Sequence, residues 1–463
     1  MKRGSVIQGV TIGEMVAEGR GLARIEGKVV FVEGATPGDV ADLRIVRSKK
    51  DFSVARVLEI ISPSPNRTIP FCRHFGVCGG CNWQHIAYLA QLEYKQGIVT
   101  DALRRIAKIA EPNVLPIIGC ERERAYRNKL EFTFTDSRWL SQPEIESGER
   151  LERRGAGFHK PGAFDRVLDI EECWLQDDLH NRIRLTAKTT AIEQGLTFRN
   201  VRSHRGTLRN LIIRNTAGGQ WMVVVVFGED DADQRESYLR TLMGSLPEVN
   251  SWYYVINLKG NDSISDLGAV HFHGEKHLTE TIGSIRFQIG PKSFFQTNST
   301  QLPLLLDVVT RFAELTGTEH VLDLYCGIGT IALSLAGNCA FVTGFEVIGE
   351  AVNDANENAR LNEIGNAGFH ALNLDKEDWT GHWINQPDVI VLDPPRAGLN
   401  PIVIERLMGL HVPRIIYVSC NPATQARDIS MLSTDYELET CQPLDMFPQT
   451  YHMENVALLN RKS

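Results

Sequence analysis

The last third of the chain alternates apolar strands with helical segments, and this alternation restricts the possible folds more than any other feature. From Leu302 onward the apolar runs are HVLDLYC, FVTGFEV, DVIVLD, RIIYVSC and VALLN. Buried parallel strands have continuous apolar sequences, and parallel neighbours need a crossover connection that is usually a helix. The pattern therefore predicts a Rossmann-like, doubly wound α/β domain with a parallel sheet.

The sequence before this domain divides at a stretch rich in proline and serine. A chain of 463 residues exceeds the size at which a single core keeps growing, so two or three domains are expected. Short β-rich runs with regular glycines predict a small β-barrel, and the SPSPN that follows resembles a linker. We predict a barrel at 1–62, a central α+β domain at 63–289 and the α/β domain at 290–463. A helix near 86–110 is expected to pack on the last of these.

The charges are distributed unevenly. The net charge of −8 argues against a nucleic-acid partner, but residues 301–463 carry 21 acidic and 9 basic residues, which leaves 36 acidic and 40 basic residues before them. RERAYRNK and RNVRSHRGTLRNLIIR concentrate arginine. If these segments are strands, their alternate residues line a phosphate track, or else they form a solvated basic face.

No segment of the sequence resembles a membrane span or a secretion signal. No apolar run approaches the roughly 18 residues that a span requires, and the N-terminus lacks an apolar signal core. We therefore predict a cytoplasmic monomer with no membrane association and no obligate protein partner.

VLDLYCGIGTIALSLA combines a strand, a tight turn at Gly327 and Gly329, and a helix. Glu346 ends the next strand, 23 residues after Asp323, where a carboxylate accepts hydrogen bonds from ribose hydroxyls. The same letters also fit the dinucleotide fingerprint. The turn alone leaves a nicotinamide dehydrogenase and an S-adenosylmethionine-binding enzyme equally open.

Two later strand ends favour methyl transfer. VIVLDPPRAGL places Asp393 at one strand end, and RIIYVSCNPATQ places Cys420 on the last rung of another, because Pro422 ends that strand. Ligands of such sheets bind outside the carboxyl ends of the strands, so an acid and a thiol flank the cofactor. Hydride transfer needs no thiol nucleophile, whereas methylation of an electron-poor ring carbon does.

With these motifs the chain resembles the RNA uracil-C5 methyltransferases, which make 5-methyluridine in ribosomal or transfer RNA. The resemblance rests on DPPRAGL, SCNPATQARD and MFPQTYHMENVALL and covers essentially the whole chain. It implies that the N-terminal barrel is a TRAM domain, an OB-like RNA-binding module, and that RNA is the partner. The 23S rRNA (uracil-5-)-methyltransferases are the most similar members, so ribosomal RNA is expected rather than transfer RNA.

The resemblance also implies roles for individual residues. Cys420 adds to C6 of uracil and converts the ring to an enolate whose C5 can attack a methyl group. Glu454 then removes the C5 proton. The residues expected to contact S-adenosylmethionine are Gln296, Tyr325, Glu346, Asn373 and Asp393, of which Asp393 is also a candidate to bind the uracil.

The nine cysteines do not suggest a disulfide scaffold in a cytoplasmic chain. Cys72, Cys78 and Cys81 have the spacing C-x5-C-x2-C, and a thiolate tetrad needs a fourth ligand. The resemblance implies Cys173 as that ligand and a 4Fe–4S cluster as the bound group, while a structural zinc ion satisfies the same ligand count. Trp174 stands where family members commonly have proline.

We therefore predict an enzyme that methylates C5 of a uridine in RNA, using S-adenosylmethionine and a covalent adduct at Cys420. Three alternatives stay open: a substrate that is transfer RNA rather than ribosomal RNA, methylation of cytosine instead of uracil, and a non-catalytic RNA-binding protein.

Overall fold

A computed structural model describes residues 1–383 and 385–462. Three large sheets and one separate hairpin organise the chain. Among the described residues, no helix combines the length and the apolar character that crossing a bilayer requires.

Six strands form the N-terminal sheet. All neighbours in this sheet are antiparallel except the fourth and sixth strands, which are parallel. Because successive strand residues face opposite sides, Val30, Val32, Leu43 and Ile45 meet in one small core. The predicted β-rich N-terminal unit is confirmed. Its strands are β1 (Val6–Thr11), β2 (Glu14–Val16), β3 (Arg20–Ile25), β4 (Lys28–Glu33), β5 (Val40–Ser48) and β6 (Phe52–Ser62).

The central region contains a seven-stranded sheet and four helices, of which α3 and α4 share its apolar core. Its helices are α1 (Tyr88–Arg105), α2 (Gln142–Glu146), α3 (Leu179–Glu193) and α4 (Ala232–Ser245). Its strands are β7 (Lys129–Thr135), β8 (Gly155–His159), β9 (Val167–Asp169), β10 (Leu208–Asn215), β11 (Trp221–Phe227), β12 (Ser251–Ile256) and β13 (Val270–Gly274). They are arranged in the order β13-β12-β11-β10-β7-β8-β9.

The arginines of β10 do not form the predicted phosphate track or a solvated face. Arg209 and Arg214 are only 1% and 4% exposed. Arg209 donates to the main-chain carbonyls of Asn257 and Lys259, and Arg214 donates to that of Ser293. β10 is a central strand whose two faces are covered, so its buried guanidinium groups must find acceptors inside the protein. For this strand the prediction was wrong.

Helix α1 packs on the C-terminal region. Val99 and Leu103 belong to the same apolar core as Ile415, far along the chain. One turn earlier, Lys95 forms a fully buried ion pair with Asp445, with 2.6 Å between Nζ and Oδ1. The helix thus joins the segment after the first cysteines to the loop that precedes the last strand.

The C-terminal region begins with a hairpin of β14 (Leu278–Ile282) and β15 (Ile285–Ile289). Phe287 and Ile289 of this hairpin lie in the C-terminal apolar core. The predicted boundary at 289/290 falls directly after the hairpin, so the packing favours an earlier start for the last domain. The division into three domains stays a prediction.

The third sheet carries the predicted Rossmann-like architecture. Its strands are β16 (His320–Leu324), β17 (Phe341–Glu346), β18 (Ala367–Ala371), β19 (Val389–Leu392), β20 (Arg414–Ser419), β21 (Tyr436–Leu444) and β22 (Glu454–Arg461). Helix α5 (Leu302–Ala313) precedes the first of these strands. The helices between the strands are α6 (Thr330–Ala336), α7 (Gly349–Leu361), α8 (Pro401–Leu410) and α9 (Pro422–Leu432). The strand order is β18-β17-β16-β19-β20-β22-β21.

One strand of this sheet differs from the prediction. β22, which contains VALLN, is antiparallel to both β20 and β21, so the sheet is mixed rather than wholly parallel. A short loop, residues 445–453, joins β21 to β22 without a helix, and a chain that returns without a crossover must run antiparallel. The start of β22 therefore lies beside the end of β20.

Candidate active site

A cleft of about 1160 Å³ opens at the carboxyl ends of the parallel strands. The strand order reverses between β16 and β19, which is where sheets of this kind bind their ligands. All seven residues predicted to act on the substrate or bind the cofactor line this cleft: Gln296, Tyr325, Glu346, Asn373, Asp393, Cys420 and Glu454.

The glycine turn after β16 forms one wall of the cleft. Tyr325, Gly327 and Gly329 have φ angles of 67°, 55° and 81°, so the turn requires backbone conformations that glycine adopts most easily. A Cβ at Gly329 would lie 2.9 Å from the ring of Phe369, which also excludes a side chain there. At Gly327 the turn therefore presents main chain, rather than a side chain, to the cleft.

Glu346 lies at the end of β17, beside the glycine turn. Its carboxylate accepts hydrogen bonds from the main-chain N–H of Gly327 at 3.3 Å and of Ile348 at 2.9 Å. These bonds fix the carboxylate at the cleft, where its free lone pairs can accept from ribose hydroxyls. The residues present therefore fit an adenosine-containing ligand.

Asp323 is a cleft residue to which the sequence assigned no role. It is fully buried, and its Oδ2 accepts from the N–H of Ala332 in the first turn of α6. Among the described residues its Oδ1 has no hydrogen-bond partner. A buried, unsatisfied carboxylate oxygen next to the turn is the kind of atom that a bound ligand completes.

Pro422 and Asn421 place Cys420 at the rim of the cleft. Pro422 is the first residue of α9, and the side chain of Asn421 caps this helix by accepting from the N–H of Ala423. Asn421 also donates from Nδ2 to the carbonyl of Arg396 at 3.1 Å. The cysteine motif and the Asp-Pro-Pro-Arg motif are thus tied together.

Cys420 and Glu454 lie near each other at the ends of two neighbouring strands. β20 ends at Ser419, which pairs with Asn455 of β22, so Cys420 follows the last rung of its strand, whereas the sequence predicted that it occupies that rung. Both side chains line the cleft, and the charge of Glu454 acts on the thiol. Glu454 is 4% exposed, and among the described residues its Oε2 has no hydrogen-bond partner.

The acidic groups and the thiol perturb one another. Burial raises the pKa of Glu454 well above its usual range, and the charge of Asp393 raises it further. Burial raises the pKa of Asp393 to about 7. Burial, followed by the charges of Glu454 and Asp393, raises the pKa of the Cys420 thiol to about 11. At neutral pH the thiol is therefore protonated, and it lies near two carboxyl groups whose pKa values are also raised.

Arg127 and Phe447 also line the cleft, and sequence reasoning assigned them no role in it. The guanidinium carbon of Arg127 lies 5.6 Å from the centroid of the Phe447 ring. Arg127 belongs to the basic segment RERAYRNK, but only the folded chain brings that segment to the cleft.

The four predicted ligand cysteines form a separate site in the central region. Cys72, Cys78, Cys81 and Cys173 line one small cavity, and all four are free thiols. Within residues 1–383 and 385–462, however, no three His, Cys, Asp or Glu side chains converge closely enough to hold a metal ion. The four cysteine side chains therefore share a cavity, but they are not arranged as a metal site among the described residues.

Two family profiles match the chain. The profile of the tRNA (uracil-5-)-methyltransferases matches residues 275–386 and 384–462, and that of the TRAM domain matches residues 2–58. An RNA methyltransferase of Bacteroides thetaiotaomicron is 47% identical, over 96% of this chain and 99% of its own. An RNA methyltransferase of Halalkalibacterium halodurans is 37% identical, over 98% and 97% of the two chains.

A solved structure shares the whole architecture. The tRNA (uracil-54, C5)-methyltransferase of Pyrococcus abyssi, in complex with S-adenosyl-L-homocysteine, aligns with a TM-score of 0.74 and 27% identity. The alignment covers 97% of this chain and all of the Pyrococcus chain. The chain is therefore an RNA methyltransferase that belongs to the tRNA (uracil-5-)-methyltransferase family and carries an N-terminal TRAM domain.

Proposed function

We propose that this enzyme transfers a methyl group from S-adenosylmethionine to C5 of a uridine in RNA, through a covalent bond between Cys420 and C6 of the base. The observation that supports this most directly is that Cys420, just after β20, and Glu454, the first residue of the neighbouring β22, line the same cleft as the glycine turn. A nucleophile and a proton acceptor in one cleft can act in sequence on a single ring.

The first step makes C5 nucleophilic. The Cys420 thiol passes its proton to a carboxylate, for which Asp393 is the candidate because Glu454 must stay unprotonated for the later step. The sulfur then bonds to C6, and the C5–C6 π electrons move into an enolate at O4. S-adenosylmethionine, when bound, supplies the methyl group that C5 takes up.

The last step restores the aromatic ring. Glu454 removes the proton from C5, the electron pair of that C–H bond re-forms the C5–C6 double bond, and the C6–S bond breaks to release the Cys420 thiolate. A carboxylate with a raised pKa is a stronger base than an exposed one, so burial of Glu454 suits it to this role.

The cofactor site combines the glycine turn with side chains from several strand ends. Glu346 is expected to hold the ribose, and Tyr325 to pack on the adenosine. Gln296 and Asn373 complete the predicted contacts, and the charge of Asp393 acts on both Cys420 and Glu454.

Incubation of the purified protein with methyl-labelled S-adenosylmethionine and bulk RNA tests the proposal. Label should appear in RNA as 5-methyluridine, and Cys420→Ala should abolish transfer while it keeps cofactor binding. 5-Methylcytidine as the product would identify a cytosine enzyme, and binding of RNA without any transfer would identify a binding protein.

For the target we propose ribosomal RNA, as the motifs suggest. The similarity to the Pyrococcus tRNA (uracil-54, C5)-methyltransferase favours transfer RNA as the second candidate. Mapping 5-methyluridine in both RNA fractions of cells that lack the gene separates the two, because the substrate fraction alone loses the modification.

We also propose that Cys72, Cys78, Cys81 and Cys173 bind a 4Fe–4S cluster. A zinc ion needs its four thiolates at about 2.3 Å from one centre. A four-iron cluster takes each thiolate on a different iron, so its ligands surround a larger volume. All four cysteines line one small cavity, which supports one shared group, and zinc stays the alternative.

A further inference from the structure

The loop that leads into Glu454 is held by the segment that contains the cysteines. This loop, residues 445–453, is called the base loop below, and residues 72–83 are called the cysteine segment. Gln449 lies in the middle of the base loop, is 3% exposed and has a φ of 67°. A residue with a long side chain adopts this left-handed conformation only where its surroundings impose it.

Every polar group of Gln449 has a partner outside the base loop. Its carbonyl accepts from the main-chain N–H groups of both Asn82 and Trp83, each at 3.0 Å. Its own N–H donates to Oε1 of Gln91 at 3.0 Å, and its side-chain oxygen accepts from Nε2 of Gln91 at 3.1 Å. Its Nε2 donates to Glu123 at 2.9 Å. Asn82 and Trp83 directly follow Cys81, so the main-chain carbonyl of Gln449 is bonded to the end of the cysteine segment.

The fourth cysteine reaches the same loop by another route. The N–H groups of Ala125 and Arg127 donate to the carbonyls of Trp174 and Leu175, the two residues after Cys173, at 2.8 and 2.7 Å. Between them, the hydroxyl of Tyr126 donates to the carbonyl of Pro448 at 3.0 Å. The stretch after Cys81 is therefore bonded to Gln449 directly, and the stretch after Cys173 is connected to Pro448 through residues 125–127.

The base loop is anchored at its start and leads directly into Glu454. At its start, Asp445 is paired with the buried Lys95. At its end, Glu454 is the first residue of β22, opposite Leu444, and one of its carboxylate oxygens has no hydrogen-bond partner among the described residues. Because no bond holds that oxygen, the path of the preceding loop influences where the carboxylate lies. Misplacement of about 1 Å can slow a step by roughly 100-fold.

We infer that Gln449 is a positioning residue that couples the conformation of the cysteine segment to the placement of Glu454, and so controls removal of the C5 proton. The inference rests on the proposed function, in which Glu454 is the base. It assigns the cysteine site a role in the last step of the reaction, whereas the binding of RNA and of the cofactor is left to other residues.

The test compares two variants that each lose a buried glutamine from the same hairpin. Gln449→Ala removes the side-chain bonds to Gln91 and Glu123, which hold the residue whose main-chain carbonyl accepts from Asn82 and Trp83 of the cysteine segment. The matched control is Gln442→Ala in β21. It removes the side-chain bonds to the carbonyls of Pro116 and of the adjacent Pro443, neither of which belongs to the cysteine segment. Each is measured in a single turnover, for methyl transfer into RNA and for the fraction of protein that remains bonded to RNA on a denaturing gel.

In Gln449→Ala we expect methyl transfer within about 3-fold of the native rate, and release of the adduct slowed by roughly 10- to 100-fold. The adduct should therefore accumulate, as in Glu454→Gln, whereas in Gln442→Ala it should not. Gln449→Asn, which keeps an amide and tolerates a left-handed backbone, should recover part of the release rate. A lower melting temperature with unchanged release would mean that Gln449 is only structural and would overturn the inference.

Cys81→Ser tests the coupling from the other side. Hydrogen exchange of the peptide that covers residues 445–453 should be faster in this variant than in the native protein, and adduct should again accumulate. In the double variant with Gln449→Ala the two effects should be less than additive, because they act through one path. Unchanged exchange in folded Cys81→Ser protein would overturn the coupling. If Glu454→Gln itself traps no adduct, it is the proposed function that fails.

Discussion

Cys420 and Glu454 each lie next to the register pair of Ser419 and Asn455, where β20 ends and β22 begins. The thiol follows the last residue of one strand, and the carboxylate belongs to the first residue of the other. Both line the cleft, and the charge of Glu454 acts on the thiol.

Glu454→Gln should stop the reaction after methyl transfer. The amide is nearly the same size as the carboxylate, so binding, thiol addition and methyl transfer remain possible, but it cannot accept the C5 proton at neutral pH. A methylated protein–RNA adduct should survive denaturing electrophoresis and should be absent when Cys420→Ala is combined with it. Native turnover without adduct would mean that another group is the base, with Asp393 the first alternative.

The same substitution should make the thiol more acidic. The charge of Glu454 contributes to raising the pKa of Cys420 to about 11, so removal of that charge lowers the pKa. The rate of alkylation by iodoacetamide should then rise at a lower pH in Glu454→Gln than in the native protein. Glu437→Gln, at an exposed position on β21, is the control. Identical pH profiles would show that the two groups do not interact.

Asp393→Asn should shift the acid limb of the pH profile. The base step requires an unprotonated Glu454, so its rate falls as the pH drops through the pKa of that group. The charge of Asp393 is one cause of that raised pKa, and removing it lowers the pKa and moves the limb to lower pH. Adduct formation should also slow, because Asp393 is the candidate acceptor of the thiol proton, so the rate of release is measured at each pH on the adduct that does form. A limb at the native position would assign it to a different group.

Glu346→Ala should weaken binding of S-adenosylmethionine. A hydrogen bond to a charged group contributes about 1.5 to 3 kcal/mol, which corresponds to roughly 10- to 150-fold in affinity. Calorimetric titration measures the change, and Glu346→Gln should recover part of it. Glu357→Ala, on the exposed side of α7, should bind normally. Native affinity in Glu346→Ala would place the ribose elsewhere in the cleft.

The cysteine site should colour the protein. Protein purified without oxygen should be brown, with broad absorbance near about 400 nm, because iron–thiolate clusters absorb there. Cys78→Ser should bleach it, whereas Cys339→Ser, at a cysteine outside the site, should not. A colourless native protein that contains one zinc ion would exclude the cluster and leave the methyl-transfer proposal unchanged.

The sequence predicted the alternating C-terminal architecture because each parallel strand carries its own apolar run and each crossover its own helix. All seven residues to which the family resemblance assigned a role line the cleft, and Glu346, Asp393 and Cys420 were indicated also by their positions at strand ends. It failed at Arg209 and Arg214, where alternation along β10 suggested an exposed basic face. Nothing in the local sequence indicates that both faces of that strand are covered.

By itself, the sequence determined the chemical groups: a strand-end thiol, a glycine turn with its acidic partner, and three closely spaced cysteines. Only the tertiary structure decided which of them meet. Were β22 parallel, as the apolar pattern suggested, Glu454 would start that strand at the opposite edge of the sheet from Cys420. The nine-residue base loop reverses the chain and brings the two together. The pairing of the base loop with the cysteine segment, more than 350 residues earlier, is a further property of the folded chain, because the main-chain bonds from Asn82 and Trp83 to Gln449 leave no signature in the sequence.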